Sequence, residues 1–214
     1  AHVVCEKPLA MTVAEAEAME AARVTAGKLG AVNFSYRNNT AFRFARELVA
    51  AGELGRLTRV HVVYLQSFLG APATHYSWRN DLALAGFGAL GDLGVHMIDG
   101  VHFVTGLDYR RVVGLAQTLI AEKPDAAGVA RRITTDTNAA FLAELTGGVT
   151  ATFETTQIAP GYGNHFRLEL SGERGTLAVH SDHNDELWLR AGPTLTKYAT
   201  WRTDLPLQKL PTDF

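Results

Sequence analysis

Gly86-Phe87-Gly88-Ala89-Leu90-Gly91 is a literal G-x-G-x-x-G, and whether it opens a dinucleotide-binding fold decides how the rest of the chain is read. Such a fingerprint needs a buried strand ahead of it and an apolar helix face behind it. Ahead stands only Leu82-Ala83-Leu84-Ala85, directly after the polar Trp78-Arg79-Asn80-Asp81. Behind it, Asp92, His96 and Asp99 fall at i, i+4 and i+7. That spacing puts a polar stripe on the helix face that a sheet would require to be apolar. The segment is therefore a glycine-rich turn into a helix rather than a phosphate loop. It offers a carboxylate and an imidazole stacked one turn apart, with glycines that let a ligand come close. An imidazole titrates near neutrality, and a neighbouring carboxylate can raise its pKa and orient it, so Asp92 and His96 are candidates for general-base chemistry. An N-cap role for Asp92 and a buried structural role for His96 account for the same spacing equally well.

Upstream, residues 2 to 5 are apolar and largely β-branched and stop at Glu6-Lys7-Pro8, which predicts a short buried strand and a turn. Thr12, with Glu15 as capping-box partner, predicts a helix over 13–28 that stops at Gly27 or Gly30. Residues 31–36 read as a second strand, completing one βαβ unit, the tail of a parallel sheet. Lys7 then sits at the C-terminal end of a strand, where open α/β sheets gather ligands and an ammonium could hydrogen-bond a substrate hydroxyl; a solvated surface charge is the plainer alternative. A second helix is expected over 41–51, ending at Gly52, followed by a strand over 57–66.

After residue 110 the pattern turns to strands, at 112–120, 139–145, 149–158, 166–171, 176–180 and 187–190. Thr146-Gly147-Gly148 and Ser171-Gly172-Glu173-Arg174-Gly175 are turn signals of the kind antiparallel hairpins use. The expected architecture is mixed α/β (α+β): a βαβ remnant over 1–36, then a large, mostly antiparallel open sheet with flanking helices over 37–214. Residues 122–132 and 193–214 show no clear period and are left unassigned.

Twenty basic and 22 acidic residues give a net charge of -2 without a long run of either sign, so nucleic acid is not an expected partner. The apolar stretch from Phe87 to Val104 is broken by Asp92, His96, Asp99 and His102, and no membrane-spanning segment is expected. One cysteine, Cys5, cannot form an internal disulfide, which fits a reducing, cytoplasmic setting. The chain opens without Met inside the run Ala1-His2-Val3-Val4-Cys5, which reads as a cut rather than a natural start. His180, Asp182, His183 and Asp185 match no zinc spacing and suit a polar hairpin tip, so no metal site is expected. His75 to Arg79 reads as a surface loop in which Trp78 and Arg79 are candidate sugar contacts.

Taken together, Cys5-Glu6-Lys7-Pro8-Leu9-Ala10, Tyr36-Arg37, Gly52-Glu53-Leu54-Gly55, Trp78-Arg79, Gly88 through Asp99, and Ser171 through Leu177 resemble the Gfo/Idh/MocA oxidoreductases over nearly the whole chain. The resemblance implies the last piece of a Rossmann domain, whose phosphate loop would lie upstream of Ala1. An open-sheet domain that often forms homo-oligomers would follow it. It implies hydride transfer from a secondary hydroxyl of a sugar, inositol or related polyol to NAD or NADP. It makes Lys7, Asp92 and His96 the reaction centre: His96 as base, Asp92 orienting substrate or imidazole, and Lys7 holding the hydroxyl. Glu6, Lys7 and Pro8 are then expected at the cofactor, and Arg37, Trp78 and Arg79 at the substrate. Alone, the chain is expected to bind cofactor weakly and to be inactive. Where the family usually has three consecutive glycines, Phe87 intervenes between Gly86 and Gly88, so the substrate side of the site should differ. An NAD-assisted glycosidase of the same fold and a non-catalytic oligomerisation or sensor domain are the alternatives.

Overall fold

The computed structural model describes residues 1–200 and 208–210. The opening apolar run forms β1 (Val3–Cys5), and the Thr12 box starts α1 (Val13–Thr25). The Glu15 N–H donates to Thr12 Oγ1 at 3.2 Å while the Thr12 N–H donates to Glu15 Oε2 at 3.0 Å. The helix stops short of residue 28 because the Ala26 N–H closes the last turn on Ala22 and Gly27 takes φ +60°. β2 (Gly30–Val32) runs parallel to β1, with Val4 opposite Ala31. The strand expected over 31–36 ends there, since the Phe34 N–H turns back to Val32 O at 2.9 Å. The chain continues as a 3-10 turn, Ser35–Asn38.

Asn39 caps α2 (Thr40–Ala50), its Oδ1 accepting from the Ala41 and Phe42 N–H groups. β3 (Leu57–Leu65) follows, then a long loop and α3 (Leu82–Ala85), so the stretch ahead of the glycine match is a helical turn and not a strand. A π-helical turn, Leu90–Gly94, runs into α4 (Val95–Thr105). The remaining strands are β4 (Tyr109–Gln117), β5 (Glu122–Pro124), β6 (Ala130–Arg132), β7 (Asn138–Leu145), β8 (Thr150–Thr156), β9 (His165–Gly172), β10 (Thr176–His180), β11 (Glu186–Ala191), β12 (Thr194–Ala199) and β13 (Gln208–Leu210).

β3, β4 and β7 to β13 form one nine-stranded sheet in the order β13-β12-β11-β10-β9-β3-β8-β7-β4. β3 and β8 are parallel and every other neighbouring pair is antiparallel. The large, mostly antiparallel sheet is thus as expected, with hairpins at the two glycine turns. The unassigned segment 122–132 is the β5–β6 hairpin, whose tip is tied by Asp125 accepting from Ala127, Val129 and Arg131. Of the unassigned stretch 193–214, residues 194–199 and 208–210 are strands, while 201–207 and 211–214 lie outside the described residues.

α2 and α4 cover one face of this sheet. Phe42 and Ala45 from α2, with Met97, Val101 and Val104 from α4, pack on Val60, Val62, Phe166, Leu168 and Leu170 of β3 and β9. Each large side chain buried there contributes about 1.5–3 kcal/mol. The helical run Leu82–Thr105 is long and apolar enough to cross a membrane by length and composition, but the left-handed Gly86 (φ +78°) splits it. Its row Leu93, Met97, Val101 and Val104 is buried in this core, the ordinary place of a core helix. The expected domain boundary after residue 36 falls inside the turn Ser35–Asn38.

Candidate active site

The glycine-rich turn is built on a residue far away in sequence. The Asp136 carboxylate accepts from Gly88 N–H at 2.8 Å and from Leu90 N–H at 2.7 Å. The Asp136 main-chain oxygen takes the Ala89 N–H at 2.8 Å. All three amides that a phosphate loop would turn toward a pyrophosphate are thereby engaged. The glycines serve close packing instead: a Cβ on Gly88 would lie 1.9 Å from Asp136 O, and one on Gly91 would lie 2.1 Å from the Phe87 ring. The literal G-x-G-x-x-G is a structural turn, which agrees with the sequence reading.

Leaving this turn, the chain delivers Asp92 and His96 to the C-terminal end of β1. Lys7 Nζ donates to Asp92 Oδ1 at 2.7 Å and to the Asp92 main-chain oxygen at 2.8 Å, across 85 positions of sequence. Gln157, at the end of β8, donates from Nε2 to Asp92 Oδ2 at 3.1 Å. Both carboxylate oxygens are therefore held. Asp92 orients Lys7 rather than the imidazole.

His96 is buried against the rings of Phe34, Tyr36 and Tyr64, with centroids 6.1, 5.3 and 6.1 Å away. Its Nδ1 is sealed from solvent and has no hydrogen-bond partner among the described residues. Among the described residues Nε2 has no hydrogen-bond partner either, but unlike Nδ1 it is not fully sealed from solvent. Burial, then repulsion from Lys7, pushes the imidazole down to about 4, outweighing attraction from Asp92, Asp99 and Glu6. The expectation of a raised pKa is overturned: desolvation wins over a carboxylate already engaged with an ammonium, and His96 is neutral at physiological pH.

The other predicted residues are placed as follows. Glu6 Oε1 accepts from Asn33 Nδ2 at 2.8 Å, and the Lys7–Pro8 peptide is cis. The Arg37 guanidinium grips Asp99 through Nε and Nη2, at 2.5 Å for the closest pair, and lies over Phe34 and Phe103. It thereby ties the Ser35–Asn38 turn to α4. Trp78 and Arg79 stack on each other at 4.6 Å in a 3-10 turn whose Arg79 and Asn80 carbonyls accept from Thr135 and Thr134. Among the described residues, none of these three hydrogen-bonds Lys7, Asp92 or His96. His180, Asp182 and His183 lie at the β10–β11 turn, where His165 pairs with Asp182 and His183 meets His180 edge-on. Among the described residues no group of three or more His, Cys, Asp or Glu is placed to hold a metal ion.

Sequence reasoning missed Asp136 and Gln157. Both act on the turn from strand ends 46 to 65 positions away, and no local spacing announces them.

Residues 42–178 match the GFO/IDH/MocA C-terminal domain. Levoglucosan dehydrogenase of Pseudarthrobacter phenanthrenivorans is 31% identical over 199 residues, covering 87% of this chain and 51% of that protein. Glucose-6-phosphate 3-dehydrogenase of Bacillus subtilis is 25% identical over 183 residues, covering 84% of this chain and 51% of that protein. Among solved structures, an oxidoreductase domain protein from Kribbella flavida aligns with TM-score 0.84 and 37% identity over 98% of this chain and 54% of its own. Levoglucosan dehydrogenase in complex with NADH and levoglucosan aligns with TM-score 0.85 and 28% identity over 99% of this chain and 54% of its own. The chain spans about half the length of the curated relatives it matches.

Proposed function

The chain belongs to the GFO/IDH/MocA oxidoreductase family, and from that premise we propose that the whole protein oxidises a secondary hydroxyl of a sugar, inositol or related polyol by hydride transfer to NAD or NADP. The observation that carries the proposal is the convergence of Lys7, from the end of β1, with Asp92 and His96, from the glycine turn and α4. The relatives' names support the substrate class, and the solved complexes of relatives with NADH or NAD+ support the cofactor.

The residues present fit a nicotinamide. Glu6, Lys7 and Pro8 leave the C-terminal end of a parallel strand pair, the place where such sheets take ligands. A bound nicotinamide supplies the hydride acceptor. The chain's own groups do the rest. Lys7 spends two of its three N–H donors on Asp92, which leaves one for the substrate oxygen, where positive charge favours a developing alkoxide. His96, neutral and not fully sealed at Nε2, takes the hydroxyl proton. Asp92 fixes the ammonium so that this geometry stands before substrate arrives. Arg37, Trp78 and Arg79 belong to the same proposal as residues bordering the substrate side.

The 214-residue chain by itself should hold cofactor weakly, because the glycine-turn amides that could cradle a pyrophosphate are committed to Asp136. Assembly into a homo-oligomer through the open sheet is part of the proposal. It is supported by β4, whose Val112 and Val113 are 66% and 68% exposed on opposite faces of that strand. A cytoplasmic location is supported by the free thiol of Cys5.

The test is turnover by the whole protein across a panel of sugars and inositols with NAD and with NADP, following reduced nicotinamide. Accumulation of reduced cofactor supports the reading. Release of free sugar from glycosides without net reduction would replace it with the glycosidase alternative. His96→Ala should lower kcat by about 10²–10⁴ while leaving the cofactor Kd within about twofold.

A further inference from the structure

Gln157 stands at the point where β8 leaves the sheet. Its main chain is fixed on both sides: its N–H donates to Thr137 O at 3.0 Å, and its carbonyl accepts the Leu69 N–H at 3.0 Å. The residue is 6% exposed, so its carboxamide has little freedom. One end of that amide is identified by its partner. A carboxylate held by an ammonium only accepts hydrogen bonds, so the atom 3.1 Å from Asp92 Oδ2 is the NH₂ group. The other end, Oε1, accepts no hydrogen bond from any described residue, yet it is not among the side-chain atoms sealed from solvent. Covalent geometry alone keeps Oε1 within about 6 Å of the Asp92 carboxylate.

A buried amide with one end locked and the other open and unpaired, beside the reaction centre, is a shaped acceptor. Leaving it unpaired when the site closes on a ligand costs more than an ordinary hydrogen bond returns, which makes such a group selective. We infer that Gln157 is a specificity-determining residue: its Oε1 accepts a hydrogen bond from a second hydroxyl of the substrate, near the one that is oxidised, while its Nε2 keeps Asp92 aligned with Lys7. Like the reading it refines, this assignment rests on the protein being a polyol dehydrogenase. It narrows the substrate to compounds with a neighbouring pair of hydroxyls.

The test uses the whole protein, its best sugar from the panel, and the single-deoxy derivatives of that sugar. One deoxy isomer should lose about tenfold in kcat/KM with the parent enzyme. Gln157→Leu should lose about as much with the intact sugar and nothing further when given that isomer. Gln157→Met, nearer in length, carries the same comparison if the leucine variant does not fold. A purely structural role predicts a different pattern, in which the variants lose activity but still penalise the deoxy isomer as the parent does. That result overturns the inference, and so does unchanged activity of both variants on the intact sugar. Failure of the underlying reading shows separately, in the parent alone, as no turnover of any polyol, and takes the inference with it.

Discussion

The β1-α1-β2 unit and the large sheet domain contribute to the same site by opposite means. Among the described residues of the first unit none is buried: most of α1 is exposed, and Val3 and Val4 are 58% and 76% exposed. The second carries the whole hydrophobic core and holds Asp92 and His96 on a helix whose neighbouring turns are buried. Lys7 is therefore positioned by polar contacts to Asp92, whereas the helical turns that carry Asp92 and His96 are positioned by packing. What this teaches is that the two halves should fail differently: damage in the sheet domain should cost stability and activity together, and damage around Lys7 should cost activity alone.

The sharpest way to test the first half of that contrast is Gly88→Ala. A Cβ 1.9 Å from the Asp136 oxygen forces the glycine turn open, because the obstacle is backbone and cannot swing aside. About 3–5 kcal/mol of stability should be lost in a denaturant titration, with the Lys7 contact and turnover lost alongside. Gly27→Ala is its counterpart in the first unit. Its Cβ would meet nothing within 4 Å, so only the strain of its φ of +60° remains, about 1–2 kcal/mol. Equal penalties at the two sites would break the comparison.

Lys7→Met probes the second half. Removing the ammonium should lower kcat/KM of the whole protein by about 10²–10³, while the melting temperature stays within a few degrees, since the pair is partly open to solvent. A large loss of stability would mean that the Lys7 contact is a structural clasp.

The parts of this site that were legible in the sequence are those with a local signature. Thr12 and Glu15 announced α1, the glycine turns announced the hairpins, and the polar stripe of Asp92, His96 and Asp99 ruled out a phosphate loop. The parts that were not legible depend on partners distant in sequence. The stripe placed a carboxylate one turn from His96 and so suggested a raised pKa, but Asp92 is taken by Lys7 and Gln157, and burial decides the sign. Likewise β5, β6 and β12 escaped notice because they carry little burial and hence little alternation; Lys123 is the one buried residue in those three strands.

That change of sign makes a prediction of its own. His96 has a folded pKa of about 4, below its ordinary value of 6.5. Its contribution to stability is therefore fully present above about pH 6.5 and is lost as the pH falls through about 4. After allowance for solvent screening, the loss should be of the order of 2 kcal/mol, and His96→Gln should flatten that part of the stability profile. The same depression should carry the acid limb of kcat/KM well below pH 6. A limb centred near 6.5 would show that the free enzyme exposes the imidazole, and His96 would no longer belong with the packed half of the site.

The smallest expected effect is at Val4, and it tests the open half directly. Threonine keeps the β-branch that suits a strand and leaves the backbone pairing with Ala31 intact. At 76% exposure the lost methyl was mostly in water already, so Val4→Thr should cost less than about 0.5 kcal/mol in the 214-residue chain. Val62→Thr, the same exchange at a position of 0% exposure in β3, buries a hydroxyl in the core and should cost about 1–3 kcal/mol. Denaturant titration of the two variants side by side measures the difference. If Val4→Thr costs as much as Val62→Thr, the first unit is covered in solution by a surface the described residues do not supply, and Lys7 is then held by packing as firmly as the turns that carry Asp92 and His96.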